Sequence, residues 1–283
     1  MQKCNHIDRM TRQELDVALD WAAQEGWNPG LHDAACFYAT DPNGFFMAKG
    51  PDGDPLGVVS AVAYDEQFGF IGFFIVRPDL RGHRVGIELG KCALNYLGGR
   101  NIGLDGVENK IKNYEHMGFS LVCHNYRCEG KTSTSSKEDV GIHLLQTVDL
   151  DRIYQYDRTC FPADRRIFLN VWLAMPESCS LLCLDGKKLQ GYGTIRRCQS
   201  GYKIGPLFAD ELETADRLYR ALLNRAKPDE PVYLDIPGNN PEARALAERH
   251  RMKTVFGTAR MYNRSEPNLA TQKIFGITSF ELG

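Results

Sequence analysis

The stretch Phe73-Phe74-Ile75-Val76-Arg77-Pro78-Asp79-Leu80-Arg81-Gly82-His83-Arg84-Val85-Gly86 decides how this chain is read. Its first four residues are apolar and suit a buried strand, and Pro78, which has no N–H to donate, ends it. The turn that follows is rich in Arg and Gly and opens a segment, 84–97, with helical spacing of apolar residues. Successive backbone N–H groups at a helix start, at the positive end of its dipole, form an anion site suited to a pyrophosphate. Gly82 and Gly86 let the backbone approach such a ligand closely, while Arg81 and Arg84 add charge. Strand–turn–helix connections with solvated arginines share this pattern, so the turn by itself leaves both readings open.

Around this stretch lie 283 residues, 43% hydrophobic and 25% charged, enough for two domains with their own cores. Lys and Arg total 34 against 36 for Asp and Glu, and the resulting charge of −2 argues against a nucleic-acid partner. No run of 18 apolar residues occurs, which argues against a membrane span. Residues 1–10 include Lys3, Asp8 and Arg9 and lack the apolar stretch of a secretory signal. The nine cysteines are odd in number and form no C-x-x-C pair, so they are expected to be reduced thiols in the cytoplasm. Cys123, His124 and Cys128, or Cys179 and Cys183, fall short of four zinc ligands, and no metal is expected.

Residues 130–139 contain no apolar side chain and break the chain near its middle. The expected division is a first domain at 1–130, a linker at 131–140 and a second domain at 141–283. Before the break, Thr11 with Glu14 forms a capping-box pattern ahead of Leu15, Ala18, Leu19 and Ala22. Strands are expected at 45–48, 58–64, 70–76 and 102–104, and helices at 84–97 and 111–117. After it, helices are expected at 150–156, 164–175, 211–226 and 241–250. Strands are expected at 181–184, 189–196, 202–204, 232–236 and 254–261. Strands followed by crossover helices in both halves predict two α/β units with mixed sheets. With Pro78 and Pro206 taken as matching strand ends, the halves read as diverged copies of one fold.

Residues 76–86 resemble the V-x-P-x-x-[QR]-x-x-G-x-[GA] signature of the GNAT superfamily of acyl-CoA-dependent N-acyltransferases. Val76, Pro78, Arg81 and Gly86 match it, and Arg84 stands where the signature has its middle glycine. Tyr114-Glu115-His116-Met117-Gly118-Phe119 is similar to the family's Y-E-x-x-G-F element, while Val107 replaces the usual asparagine seven residues earlier. With Trp21 to Gly30 and the final Gly276-Ile277-Thr278-Ser279-Phe280-Glu281-Leu282-Gly283, the chain resembles the two-domain YitH-like acetyltransferases.

The resemblance implies tandem GNAT-like α/β domains, with acetyl-CoA as co-substrate in the first. The CoA contacts it implies are Phe74, Ile75 and Val76 on the strand; Arg81, Gly82, His83, Arg84, Val85 and Gly86 on the turn; and Asn109 and Tyr114. The pantetheine arm would pair with residues 73–76 like an added strand. Amides near Ile75 would polarise the thioester carbonyl. An amine would attack directly in a ternary complex, with Tyr114 as the acid that protonates the departing thiolate. A purely structural Tyr114 is the competing reading.

Glu25, Trp27, Asn28 and Asp33 follow the first helix and are expected, with Arg196, to face a small cationic amine; Arg197 and Tyr202 are further candidates. The general base stays open among Glu25, Asp33, Asp65, Glu66, Asp105 and His116, or a water chain. The second half carries Asp210, Glu211 and Glu213 where a polyphosphate needs positive charge, and Ala247 in the place of Tyr114. It therefore reads as a degenerate copy serving as lid, substrate wall or dimer surface. The expected activity is acetyl transfer to a primary amine of a small molecule. The alternatives are a non-catalytic acyl-CoA-binding protein and a protein-lysine acetyltransferase.

Overall fold

The computed structural model describes residues 6–132 and 139–283, so the middle of the expected linker, 133–138, lies outside the described residues. The first half contains β1 (His6–Arg9), α1 (Arg12–Gln24), α2 (Asp33–Thr40), β2 (Phe45–Lys49), β3 (Pro55–Ala63), β4 (Phe68–Val76), α3 (Arg84–Tyr96), β5 (Asn101–Val107), α4 (Ile111–His116) and β6 (Ser120–Lys131). The second contains β7 (Ile142–Leu144), α5 (Leu150–Cys160), α6 (Arg166–Trp172), β8 (Ser178–Asp185), β9 (Lys188–Arg197), β10 (Tyr202–Ala209), α7 (Leu212–Leu223), β11 (Pro231–Pro237), α8 (Pro241–Arg249), β12 (Lys253–Tyr262) and β13 (Ile274–Gly276). The capping box at Thr11 and Glu14 is present and starts α1.

The halves are joined by an exchange of strands. One sheet runs β1-β2-β3-β4-β5-β12-β6-β11-β10-β9-β8-β7. The last long strand of the second half, β12, pairs with β5 of the first, Thr258 opposite Val107 and Tyr262 opposite Gly103. In return β6 pairs with β11, Lys131 opposite Pro231 and Asn125 opposite Pro237. Each half thus completes its sheet with the other's strand.

Helices α1, α2, α5 and α6 cover one face of this sheet and share a core that includes Leu15, Phe37, Phe73, Phe168 and Trp172. On the other face, α3 and α4 bury Leu89, Ala93 and Phe119, and α7 and α8 bury Leu218, Leu222 and Leu246. No helix among the described residues is long and apolar enough to cross a membrane.

The repeat holds, but its register differs from the one Pro78 and Pro206 suggest. Pro206 lies inside β10, because the ladder to β9 shifts between Ile204 and Leu207. The equivalent shift in β4 lies between Gly72 and Ile75. The parallel ladders to β5 and β11 end at Ile71 and Ile204, so Gly72-Phe73 corresponds to Gly205-Pro206, and Pro78 has no counterpart.

Candidate active site

β4 and β5 run parallel from Phe68 opposite Asn101 to Ile71 opposite Leu104, and there they part. Beyond that point Ile75 and Val76 have ladder partners only on β3, Val58 and Gly57. The bulge places Phe73 at φ 44°, a conformation that bulky residues rarely adopt. One edge of residues 73–76 is left facing a wedge between the strands, as an added extended chain requires.

At the end of the wedge α3 begins after His83 with no side-chain cap and no acidic residue in its first turn. Its leading N–H groups are therefore left without a side-chain cap. Gly82 sits at φ 84°, and a side chain at Gly86 would meet nothing nearer than Val76, 3.6 Å away. Arg84 is exposed and lies 3.7 Å from Glu88. Arg81 is engaged elsewhere: it pairs with Glu25 and donates Nε–H to the Val76 carbonyl at 3.0 Å. Glu25, expected on the acceptor wall, thus meets the turn before α3 and ties the end of α1 to the end of β4.

Tyr114 packs on β5 where Gly106 leaves room; any side chain at 106 would collide with its ring. Gly118 at φ 92° ends α4, and the Phe119 N–H returns to the Tyr114 carbonyl at 3.0 Å. That turn buries Phe119 and explains the Y-E-x-x-G-F spacing. Burial pushes the Tyr114 hydroxyl up to about 12, so it carries its proton at neutral pH. Asn109 is exposed on the short turn before α4.

The loop after α1 docks on the second half and gathers four expected residues. Asn28 exchanges hydrogen bonds with the Ser200 backbone at 2.8 and 2.9 Å. Asp33 pairs with Arg196 at 3.0 Å, both buried. The Trp27 carbonyl accepts from Arg127 at 2.6 Å and from Lys203 at 3.4 Å. Arg197 and Tyr202 stack on one another at 4.8 Å, and Arg197 also pairs with Glu230.

The open question of a base narrows. Asp33 is held by Arg196 and the Gly30 N–H. Asp105 is held by Arg260 at 2.6 and 2.8 Å and by Asn125 at 2.7 Å; burial outweighs these partners and raises its pKa. Asp65 caps the Gln67 and Phe68 amides, and His116 contacts the Lys112 carbonyl. Glu66 is exposed.

Sequence reasoning missed a buried polar floor on the α1–α2 side of the sheet. It includes Ser60 on β3, Thr258 on β12, Arg127 on β6, Asp235 on β11 and Lys203 on β10. Arg127 makes two 2.7 Å bonds to Asp235. Residues 277–283 lie over this floor, with Glu281 buried. Only the terminal 276–283 pattern hinted at them.

In the second half the equivalent wedge is filled by the chain itself. β10 and β11 pair from Tyr202 to Ile204, then β13 takes the place beside Leu207 and Phe208. Only Asp210 and Glu211 connect β10 to α7, with Glu213 in the first turn, so the Arg/Gly-rich turn of the first half has no counterpart. Met252 N–H bonds the Ala247 carbonyl at 2.9 Å and Arg251 has φ 53°, which places Ala247 where the first half has Tyr114.

A wedge beside a bulged strand, an uncapped helix start and a tyrosine on the following helix define an acyl-CoA transferase fold, present here twice and complete once. Residues 12–119 match the Acetyltransferase (GNAT) family, and residues 153–276 match a second Acetyltransferase (GNAT) domain. The chain belongs to the GNAT acyltransferases, as a tandem protein, and this family uses acyl-CoA as co-substrate. It is 27% identical over 271 residues to the holothin acyltransferase of a Pseudoalteromonas species, covering 96% of this chain and 92% of that protein. A putative acetyltransferase from Pyrococcus horikoshii shares the fold with a TM-score of 0.83 at 18% identity, covering 98% and 95% of the two chains. A tandem GNAT protein from the clavulanic acid biosynthesis pathway matches with a TM-score of 0.63 at 9% identity, over 92% and 99%. Among the described residues no group of three or more His, Cys, Asp or Glu is placed to hold a metal.

Proposed function

We propose that the first half binds acetyl-CoA and passes its acetyl group directly to a primary amine of a small molecule in a ternary complex. The observation that carries this reading is the separation of β4 from β5 after Ile71, next to the uncapped start of α3. Residues 73–76 would hold the pantetheine arm as an extra strand, and the amides of 82–86 would hold the pyrophosphate. The amide of Ile75, beside the bulge, is suited to polarise the thioester carbonyl.

Tyr114 supplies the proton that the departing thiolate takes up, since its buried hydroxyl stays protonated at neutral pH. A small acceptor suits the other side of the sheet, where the α1–α2 loop and residues 277–283 cover the polar floor. All eight described cysteines are free thiols, which fits a reducing cytoplasm. The test is CoA release across primary amines, amino acids, polyamines and peptides, with product masses measured. An N-acetylated small amine supports the reading; acetylation confined to peptide lysines overturns the small-molecule acceptor.

A further inference from the structure

The final segment links the two wedges. After β13 fills the second wedge, the Ile277 and Thr278 carbonyls lie over Gly205, where any side chain would strike them. Three residues later the Glu281 carbonyl lies over Gly72, the matching glycine of the first half, and would strike a side chain there too. The Tyr64 hydroxyl donates to the Leu282 carbonyl at 2.9 Å, fixing the segment on the first half. Residues 277–283 thus cross from one bulge to the other. They put Glu281 over the β4 bulge, beside the strand expected to hold the thioester.

Glu281 is buried, with 3% relative exposure, yet neither carboxylate oxygen has a hydrogen-bond partner. It is the only carboxylate among the described residues in that condition. A buried carboxylate without a partner is costly, and such groups persist where a ligand or a reaction uses them. Nearby cations act on its charge without bonding it. Arg127 is committed to Asp235 and Trp27, and Arg196 to Asp33. All three, Arg127, Arg196 and Lys203, are within range of the Glu281 charge, but Lys203 bonds the Trp27 carbonyl and none of the three bonds Glu281.

Other unsatisfied atoms lie on the same face. Ser60, directly opposite Gly72 in the ladder, has a buried Oγ without a partner. Thr258 Oγ1 and Arg196 Nη1 are in the same state. Partnerless groups of both signs, a carboxylate and a guanidinium N–H, fit an acceptor that presents an amine and also an oxygen to accept a hydrogen bond.

We infer that Glu281, contributed by the second half, is the general base of the first half's reaction and receives the acceptor amine. This rests on the acetyl-transfer reading above. The ammonium gives one proton to the Glu281 carboxylate, and the freed lone pair forms the C–N bond as the C–S bond breaks. Tyr114 gives its proton to the sulfur. The second proton shed by the nitrogen restores Tyr114, and Glu281 passes the first to solvent. The product amide keeps one N–H when the acceptor is a primary amine, so the count closes.

The test compares the full-length protein with Glu281→Gln, using acetyl-CoA and the best primary alkylamine from the panel. A second acceptor is its O-alkylhydroxylamine counterpart, which is already neutral at pH 7. Acetyl-CoA affinity and melting temperature are measured on both proteins. With the alkylamine, Glu281→Gln is expected to lose roughly 10²–10⁴-fold in kcat, the range of general base catalysis. With the neutral counterpart the loss is expected to shrink to a few fold, a difference that a merely structural residue would not produce. Wild-type turnover of the alkylamine by a folded Glu281→Gln protein overturns the assignment and leaves the acetyl-transfer reading standing. Equal losses with both acceptors also overturn it. A wild-type protein that binds acetyl-CoA but acetylates no amine overturns the underlying reading, and the role of Glu281 with it.

Discussion

Asp33 at the start of α2 and Arg196 on β9 form a buried ion pair, 3.0 Å from Oδ1 to Nε, across the seam between the halves. The Arg196 guanidinium also lies 4.3 Å from the ring centre of Trp172, so it is fixed from two sides. Removing one partner of such a pair leaves the other charged, buried and uncompensated. Asp33→Ala is therefore expected to lower unfolding free energy by about 3–5 kcal/mol, the usual cost of breaking a buried pair. Urea denaturation of the single variants and of the double variant with Arg196→Met measures this. A loss below about 1 kcal/mol, the range of exposed pairs, would contradict it.

Tyr114→Phe keeps the ring that packs against Phe119 and beside Gly106. Melting temperature and acetyl-CoA affinity should hardly move. A thiolate with a pKa near that of cysteine, about 8.5, can leave unaided but less readily, so some turnover should remain. The expected loss in kcat is roughly 10²–10⁴-fold. Unchanged kcat in a folded variant would return Tyr114 to a purely structural role.

Acid should act on the seam through Asp235. Burial works to raise its pKa, but the charge and hydrogen bonds of Arg127, with help from Lys203 and Arg196, outweigh burial and lower it. A carboxylate depressed on folding stabilises the protein above its unfolded pKa, about 3.9. That contribution is lost as pH falls through the lower folded value. The stability gap between wild type and Asp235→Asn is therefore expected to be constant from pH 5 to 7 and to narrow below about pH 4. Denaturation midpoints across that range check the sign, and a gap that widens on acidification would refute it.

Much of the first half was legible because local rules decide it. Thr11 and Glu14 announce a helix, and an apolar run followed by Pro78, Gly82 and Gly86 announces a strand, turn and helix. The strand exchange was not legible, since periodicity shows which face a residue takes and says nothing of the neighbouring strand. β1, α2, β6, β7 and β13 went unread, three of them because four or fewer residues show no clear period, β6 because Cys123 to Lys131 mixes polar and apolar side chains. Pro206 misled the alignment because a proline inside a strand is confined to special sites, and this one sits at a bulge. Arg81 read as a phosphate ligand, and nothing in the sequence placed Glu25 against it. Glu281 appeared only within the terminal 276–283 pattern, since its burial depends on a crossing between two distant glycines.

The central claim is one donor site per chain, in the first half, with the second wedge closed by β13. A crystal structure of the full chain with acetyl-CoA tests it most directly. The expected result is a single acetyl-CoA, with its pantetheine along residues 73–76 and its pyrophosphate on the amides of 82–86. Acetyl-CoA bound beside Leu207 and Phe208 with β13 displaced, or at both wedges, would contradict the account.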